Sequence, residues 1–396
     1  MAVCEIKDGI AYAYNFDRDG VVMVIYMKVL FIKQILNSYA VESISEKSDT
    51  VLVYKKGARL GKEFNKVKAV TLPVTRFGLQ KLVRLFKPNN QTHFPRYFLG
   101  LKKTLNKERP DVIVTTELYE IVTWRCIQYA KKNKVPVYIF SETKAWPASL
   151  IPFCFLYISL WYIRRNLKHV KKIVVWTQDG KKWFSKNLPQ ADIVIIPAPV
   201  DTKHYSNVKR KKWIKNGTLR ILMVARYIPL KRHYDLLQAV KQIKESGKKV
   251  HVSLIGPQGL GKQTVENEVN KLRLDHVVDF LTPLAPEDMP SIYRQHDVLV
   301  LPSNREAVGR VVPEAMACGV PTITSDAVGA NTYVDENKTG YIFAAENTKD
   351  LTKKILQCFD KELLACMGNA ARTHIQAIAS KEVVKKKYQE LFSSFE

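Results

Sequence analysis

Residues 301–321 read LPSNREAVGRVVPEAMACGVP, and this stretch decides the fold of the chain. The apolar run at 298–301 predicts a buried strand, and the pattern from about 309 to 318 predicts a helix. Gly319 is the residue expected just past the end of such a helix. A strand, a loop and a helix in this order indicate an α/β domain with a parallel sheet.

Two carboxylates lie on either side of the predicted helix start. Glu306 is in the loop before the helix, and Glu314 is about one turn inside it. The first N–H groups of a helix lack intrahelical partners and form its positive end, so a diphosphate can bind there while the carboxylates hold sugar hydroxyls. This spacing favours a nucleotide-sugar site. Taken alone, it also fits two acids that only complement the helix dipole.

These glutamates and several further motifs resemble the retaining glycosyltransferases of family 4. That family's motif is written E-G-F-G-x-x-x-x-E-A-M-A-x-G-x-P, and this chain has EAVG at 306–309 and PEAMACGVP at 313–321. RILMVARYIPL at 220–230, followed by Lys231, resembles the strand and basic loop that clamp the donor phosphates. Further segments that resemble the family lie at 250–259, 277–283, 328–329 and 337–341.

The resemblance implies the GT-B fold, an α/β architecture in which two Rossmann-like parallel-sheet domains face each other across a cleft. Residues 1–200 would form the acceptor-binding domain, and residues 215–380 would bind the nucleotide-sugar. The last helix, within 381–396, would pack back on the first domain. In both halves short β-rich runs alternate with helical segments, as parallel sheets require. The predicted strands are 10–16, 50–54, 67–72, 111–115, 135–140, 172–176 and 193–196, then 219–224, 250–255, 277–280, 297–301, 322–325 and 341–343.

The resemblance also implies roles for individual residues. Arg226 would clamp the donor phosphates as a fork and Lys231 as a point charge. Glu306 would bind hydroxyls of the donor sugar and Glu314 the ribose, so the expected catalytic residues are Glu306, Arg226 and Lys231. In such enzymes the leaving phosphate takes the acceptor proton on the same face, and anomeric configuration is retained. The expected donor-binding residues are Arg226, Lys231, Gly256, Thr282, Pro283, Val308, Gly309, Arg310 and Glu314.

For the acceptor, the expected residues are Asp19, Gly20 and Glu142. The first two follow the predicted strand 10–16, and Glu142 follows an apolar strand. The triplet at 17–19, Asp-Arg-Asp, looks like the D-x-D with which other glycosyltransferases hold a metal. It lies in the wrong half, however, and family 4 dispenses with a bound metal. We therefore expect no metal and no cofactor, the nucleotide-sugar being a co-substrate.

The charge of the chain is strongly positive and unevenly distributed. The net charge is +26, of which residues 1–200 carry +18, and at 55–109 fifteen Lys or Arg face only two glutamates. Such a field attracts polyanions, either nucleic acid or an anionic membrane surface. No nucleic-acid-binding motif accompanies the charge, which favours the membrane.

Two apolar stretches bear on membrane contact, and both are shorter than the roughly 20 residues that span a bilayer. The first, at 21–36, predicts the first helix of the N-terminal domain. The second, at 150–163, is rich in aromatics and is followed by a basic segment. It predicts either a helix lying in the membrane interface or a helix buried under the sheet. Charged residues within the first ten and six scattered cysteines favour a reducing, cytoplasmic setting, peripheral on the inner face of the membrane.

The resulting expectation is a retaining, metal-independent hexosyltransferase. It would transfer a hexose from a UDP- or GDP-linked sugar to a glycan or lipid-linked acceptor at the cytoplasmic membrane face. Two alternatives from other classes remain. One is a catalytically inactive GT-B protein that binds membranes as a scaffold, and the other is a basic protein that binds nucleic acid non-specifically.

Overall fold

The structure is a computed structural model. It describes residues 3–7, 10–16, 22–24, 28–33, 49–55, 67–76, 96–118, 120–141, 150–206, 212–257, 260–282 and 284–393. The chain forms two compact units. The first contains Met1–Ile196 and Lys385–Glu396, and the second contains Pro197–Val384. Residues 197–214 thus belong to the second unit.

The first unit is built on a parallel sheet, preceded by a small antiparallel one. Its strands are β1 Val3–Lys7, β2 Ile10–Phe16, β3 Val22–Val24, β4 Lys28–Lys33, β5 Asp49–Lys55, β6 Lys68–Leu72, β7 Val74–Arg76, β8 Arg96–Phe98, β9 Val112–Thr116, β10 Val137–Ser141, β11 Val170–Val175 and β12 Ile193–Ile195. The parallel sheet has the order β12-β11-β10-β9-β4-β5-β6, and β1-β2-β3 and β7-β8 form separate antiparallel sheets.

The first strands of the chain differ from the sequence prediction. Ile10–Phe16 is a strand, but it pairs antiparallel with β1 and β3 and does not join the parallel sheet. The helix predicted at 21–36 was wrong, since Lys28–Lys33 is the interior strand β4, paired with β5 and β9. Strands paired on both sides in a parallel sheet carry almost continuous apolar runs, which periodicity cannot separate from a short helix.

One helical layer covers a face of this sheet. Its helices are α1 Leu101–Glu108, α2 Ile121–Asn133, α3 Leu150–Arg165 and α4 Gln178–Asn187. Alternate residues of the strands, such as Ile113, Ile139 and Ile173, form a buried core with these helices. Helix α3 is buried along one side only, because Leu156, Leu160 and Ile163 are buried while Tyr157, Ile158 and Trp161 are about half exposed. Within the described part of the chain, no helix combines the length and apolar character needed to cross a membrane.

The second unit contains one parallel sheet of six strands in the order β15-β14-β13-β16-β17-β18. The strands are β13 Thr218–Val224, β14 Lys249–Ile255, β15 Val278–Leu281, β16 Val298–Leu301, β17 Thr322–Ser325 and β18 Gly340–Phe343. The helices are α5 Thr202–Ser206, α6 His233–Glu245, α7 Leu260–Lys271, α8 Met289–Gln295, α9 Val311–Ala317, α10 Thr348–Gln357, α11 Lys361–Ala379 and α12 Lys381–Ser393. The chain starts at the central strand β13 and adds β14 and β15 on one side. It then returns to the other side of β13 and adds β16, β17 and β18. The order therefore reverses between β13 and β16, where Rossmann-type sheets bind ligands beyond the carboxyl ends of the strands.

The end of α12 belongs to the first unit. Tyr388 stacks on Phe140 with ring centroids 5.8 Å apart, and Phe392 lies 4.9 Å from the ring of Tyr138. Both helix residues are almost fully buried. Side chains alternate between the two faces of a strand, so these contacts cover the face of β10 opposite to Ile139 and the helical layer.

Candidate donor site

The loop after β13 and the turn after β14 lie against each other. The backbone N–H of Ala225 donates to the carbonyl of Ile255 at 2.9 Å. A β-carbon at Gly256 would overlap the carbonyl oxygen of Ala225, and one at Gly261 would overlap that of Tyr227. Both positions therefore need glycine for close backbone approach. Gly256 was expected from the sequence, whereas Gly261 was missed because a glycine at a helix start has no distinctive pattern.

Two cations extend from the loop after β13. Arg226 is exposed, and Lys231 ends a short turn at Pro229–Lys231 in which its N–H donates to Ile228. Only 12% of the Lys231 side chain is exposed. Burial, together with the neighbouring Arg226 guanidinium, lowers the pKa of Lys231 to about 8. The two positive charges thus lie close enough to interact, as a clamp for one dianionic group requires.

Lys231 forms an ion pair with Glu306, which the loop after β16 supplies. The two loops are also joined through their backbones, since the N–H of Asn304 donates to the carbonyl of Leu230 at 3.1 Å. Glu306 forms a β-bridge with Val328. The N–H of Gly329 donates to the Glu306 carbonyl at 3.0 Å. The segment that follows β17 therefore fixes the loop that carries this carboxylate.

Gly309 connects the loop to helix α9. Its φ of +65° lies in the left-handed region, and an added β-carbon would lie 3.1 to 3.2 Å from atoms of Leu301, Val328 and Ala330. The helix begins at Val311, two residues later than predicted, because this backbone conformation at Gly309 is not helical. At the other end Gly319 has a φ of +71°, and its N–H donates to Met316 at 2.8 Å. The predicted glycine at the helix end is therefore confirmed.

Glu314 lies inside α9 and is held by Tyr293. The hydroxyl of Tyr293 donates to its Oε2 at 2.9 Å, and the ring of Tyr205 packs edge-on against that of Tyr293 with centroids 6.0 Å apart. Burial raises the pKa of Glu314, while the Tyr293 hydrogen bond and the nearby Arg310 guanidinium oppose this rise. Tyr293 and Tyr205 were not found from the sequence. Their contact depends on how α5, α8 and α9 pack, and short-range spacing carries no signal for it.

Most expected donor residues share one edge of the second sheet. Gly256 and Thr282 directly follow two paired strands, β14 and β15, and Val308, Gly309 and Arg310 precede α9. Thr282 and Arg310 are exposed, and Val308 is buried. Pro283 and the expected acceptor residues Asp19, Gly20 and Glu142 lie outside the described residues. Among the described residues, no group of three or more His, Cys, Asp or Glu side chains could hold a metal ion.

Part of the chain matches a known family. Residues 206–374 match the family of glycosyl transferases group 1. This group 1 region contains Arg226, Lys231, Glu306 and Glu314, together with the tyrosine Tyr293 that contacts Glu314.

Curated relatives of the chain include glycosyltransferases. A D-inositol 3-phosphate glycosyltransferase of Corynebacterium jeikeium is 30% identical over an alignment of 196 residues that covers 46% of this chain and 46% of that protein. Spore coat protein SA of Bacillus subtilis is 35% identical over an alignment of 148 residues that covers 35% of this chain and 39% of that protein. The matched segments span less than half the length of these relatives. Together with the family match, the likeness supports a glycosyltransferase.

Solved structures extend the likeness in fold to nearly the whole chain. A glycosyltransferase from Rickettsia africae has a TM-score of 0.73 at 18% identity, covering 93% of this chain and 98% of that one. HepE of Anabaena, solved in complex with UDP, has a TM-score of 0.70 at 17% identity, covering 93% and 100%. The fold class expected from the sequence, two Rossmann-like parallel-sheet domains of the GT-B type, is confirmed.

Proposed function

We propose that this protein is a retaining, metal-independent glycosyltransferase of family 4 that transfers a hexose from a nucleotide-diphosphate sugar. The observation that carries the proposal is the group of charged side chains at the switch point of the second sheet. Arg226 and the Lys231–Glu306 ion pair come from loops after β13 and β16, and Glu314 stands on the helix that follows. The first three are the proposed catalytic residues.

The donor is proposed to be a UDP-sugar, with a GDP-sugar as the alternative. HepE, which shares the fold, was solved with UDP and with UDP-glucose, and this favours uridine here. Glu314 would accept hydrogen bonds from the ribose hydroxyls. Gly256, Thr282 and Pro283 would lie beside the nucleotide, because they follow β14 and β15, the two strands on one side of β13.

Each step of the proposed transfer conserves atoms and charge. The bond between the anomeric carbon and the donor phosphate oxygen breaks, and the acceptor hydroxyl oxygen bonds to the same face of that carbon. The acceptor proton passes to the leaving phosphate. Arg226 and Lys231 would stabilise the negative charge that develops on this phosphate, with the backbone at Val308, Gly309 and Arg310 adding dipoles. Glu306 would hold the sugar hydroxyls and, through its ion pair, the Lys231 ammonium.

The acceptor is proposed to be a glycan or lipid-linked molecule at the cytoplasmic face of the membrane. Two features support a membrane partner: the +18 charge of residues 1–200 and the exposed aromatic face of α3. Asp19, Gly20 and Glu142 remain the proposed acceptor contacts. A specific nucleic-acid partner is not proposed.

Thermal unfolding with a panel of nucleotide-sugars tests the donor site. A ligand that binds only the folded state adds about 2.7 kcal/mol of stability at a hundredfold excess over its Kd, so the midpoint rises. Arg226→Ala and Glu314→Ala should each weaken the matching donor at least roughly tenfold, since each loses a charge-assisted hydrogen bond. Lys353→Ala, which removes an exposed cation from α10, should behave as wild type.

The same panel separates the proposal from its alternatives. Stabilisation by one nucleotide family, lost in Arg226→Ala and Glu314→Ala but kept in Lys353→Ala, supports the donor site and identifies the base. Absence of stabilisation by any donor in a folded sample would favour the inactive scaffold. A nucleic-acid binder would instead bind RNA or DNA with strong salt dependence and equally well in Arg226→Ala.

A further inference from the structure

A groove lies between helices α1 and α2 on the outer surface of the first unit. Its volume is about 390 Å³, within the roughly 300–1,000 Å³ typical of small-molecule sites. The buried side chains of Leu101 and Leu105 and the half-buried ring of Tyr129 line it. The hydroxyl of Tyr129 donates to the Leu105 carbonyl at 3.1 Å, which joins the two helices within the groove.

The polar residues around this groove give it a positive potential. Lys102 from α1 and Arg125 and Lys132 from α2 are exposed cations that line it, and none of the described lining residues is acidic. The Arg125 guanidinium donates to Gln128 Oε1 at 3.0 Å, which restrains it within one helical turn. The side chains of Asn106, Gln128 and Asn133 also line the groove. Their amide N–H groups can donate hydrogen bonds to an anion.

Basic residues outnumber acidic ones on the described helices around the groove. Helices α1, α2 and α3 carry eight Lys or Arg residues and a single acidic residue, Glu108. Glu108 is buried and accepts from Lys68 at 2.7 Å. A concave cationic surface concentrates anions more strongly than scattered surface charges do.

The groove is separate from the proposed transfer chemistry. It lies in the outer helical layer of the first unit, whereas Rossmann-type sheets bind ligands beyond the carboxyl ends of their strands. The donor residues Arg226, Lys231 and Glu314 belong to the second unit. An anion in this groove therefore has a role other than that of donor, and the inference does not depend on the proposed function.

We propose that the groove between α1 and α2 binds a phosphate group attached to an organic moiety. Lys102, Arg125 and Lys132 bind the phosphate, because guanidinium forks and ammonium groups match phosphate oxygens. Leu101, Leu105 and the Tyr129 ring contact the attached apolar part. The groove volume of about 390 Å³ is larger than the volume that a bare phosphate ion occupies. The same chemistry is offered by a phospholipid headgroup and by a soluble phosphate ester.

Two probes with the same headgroup distinguish these sources. Glycerol 3-phosphate is titrated calorimetrically into the full chain, and vesicles of phosphatidylcholine with or without phosphatidic acid are used for co-sedimentation. The test variant is Lys102→Gln/Lys132→Gln. Its matched control, Lys103→Gln/Lys131→Gln, removes the same charge from exposed positions of the same two helices that do not line the groove.

We expect the groove variant to bind roughly tenfold more weakly than wild type, and the matched control to bind as wild type, since only the first loses charge-assisted hydrogen bonds. Binding of glycerol 3-phosphate indicates a soluble ester, and binding only to vesicles with phosphatidic acid indicates a lipid headgroup. Equal affinity of the two double variants, or no binding of either probe to wild type, overturns the proposal.

A further variant tests whether the phosphate binds at the loop after β13 instead of in the groove. Arg226→Ala should keep full affinity for the probe that binds wild type. If Arg226→Ala lost that binding, the phosphate would bind at the loop after β13, and the groove proposal would be refuted. Stabilisation by nucleotide-sugars, measured on the same samples, reports separately on the proposed function. The two proposals can therefore fail independently.

Discussion

At the scale of single residues, Lys231 predicts how donor binding depends on pH. Burial, together with Arg226, lowers its pKa to about 8 in the free protein, and a bound diphosphate needs the ammonium form. Above this pKa each binding event must also protonate Lys231, so the affinity for a nucleotide-sugar should fall roughly tenfold between pH 7 and pH 9. A diester diphosphate does not itself titrate in this range. Calorimetric titration at several pH values measures the fall.

Lys231→Arg is the control, because an arginine stays charged throughout this range. Its donor affinity should be nearly constant from pH 7 to pH 9, whatever its absolute value. An equal fall in wild type and variant would show that another group titrates. The free energy of unfolding should change in the opposite direction and rise with pH. The cost of burying the charged Lys231 is fully present below pH 8, and it declines as pH rises towards the ordinary pKa of 10.5.

The residues of the candidate site differ in how far sequence could reveal them. Glu306 and Glu314 stand out because their spacing is fixed by one loop and one helix turn, which are local features. Tyr293 could not be predicted from the sequence, because its hydroxyl reaches Glu314 only when α8 packs beside α9. The left-handed φ of Gly309 was also missed, because it depends on Leu301, Val328 and Ala330 closing around that position.

At the scale of elements, Gly309 sets the entry to helix α9, and alanine there should destabilise the second unit. Gly309→Ala combines the left-handed φ with contacts of 3.1 to 3.2 Å to three side chains. We expect a loss of about 2–4 kcal/mol, the sum of backbone strain and overpacking. Urea unfolding, followed by far-ultraviolet circular dichroism, measures it.

Gly247→Ala separates the two contributions. Gly247 has a φ of +79° but nothing lies within 4 Å of an added β-carbon, so only the backbone cost of about 1 kcal/mol should remain. If both variants lost the same free energy of unfolding, the crowding around Gly309 would not contribute to the loss. A difference of at least 1 kcal/mol between the variants is what crowding predicts.

Strands were predicted well wherever polar or turn residues bounded an apolar run. Thr322–Ser325 agrees to the residue, and β13 and β14 agree within one residue at each end. Lys28–Lys33 was misread because apolar residues continue at 21–27 and 35–36, so the lysines look like the polar positions of one long helix. Which strand occupies the interior of a sheet follows from long-range pairing with β5 and β9, which a local pattern does not encode.

At the scale of the whole molecule, charge and apolar exposure coincide in the first unit. Its residues carry most of the net charge of +26, and helix α3 exposes about half of each of Tyr157, Ile158 and Trp161. The guanidinium of Arg165 lies 4.6 Å from the centre of the Trp161 ring. Aromatic side chains beside cations are typical of segments that lie in the headgroup region of an anionic bilayer.

This coincidence predicts that Ile158 strengthens binding to anionic vesicles. Fully burying an exposed isoleucine contributes roughly 1.5–3 kcal/mol. About half of Ile158 is exposed, so Ile158→Ser should lower partitioning to phosphatidylglycerol vesicles roughly three- to tenfold. Leu356→Ser is the matched control, because Leu356 is an exposed aliphatic residue on helix α10 of the second unit, and it should partition as wild type. Wild-type partitioning should also weaken as salt screens the basic surface. If both variants lost affinity equally, or if neither did, α3 would not be the contacting element, and the charge of residues 1–200 would act without insertion of apolar side chains.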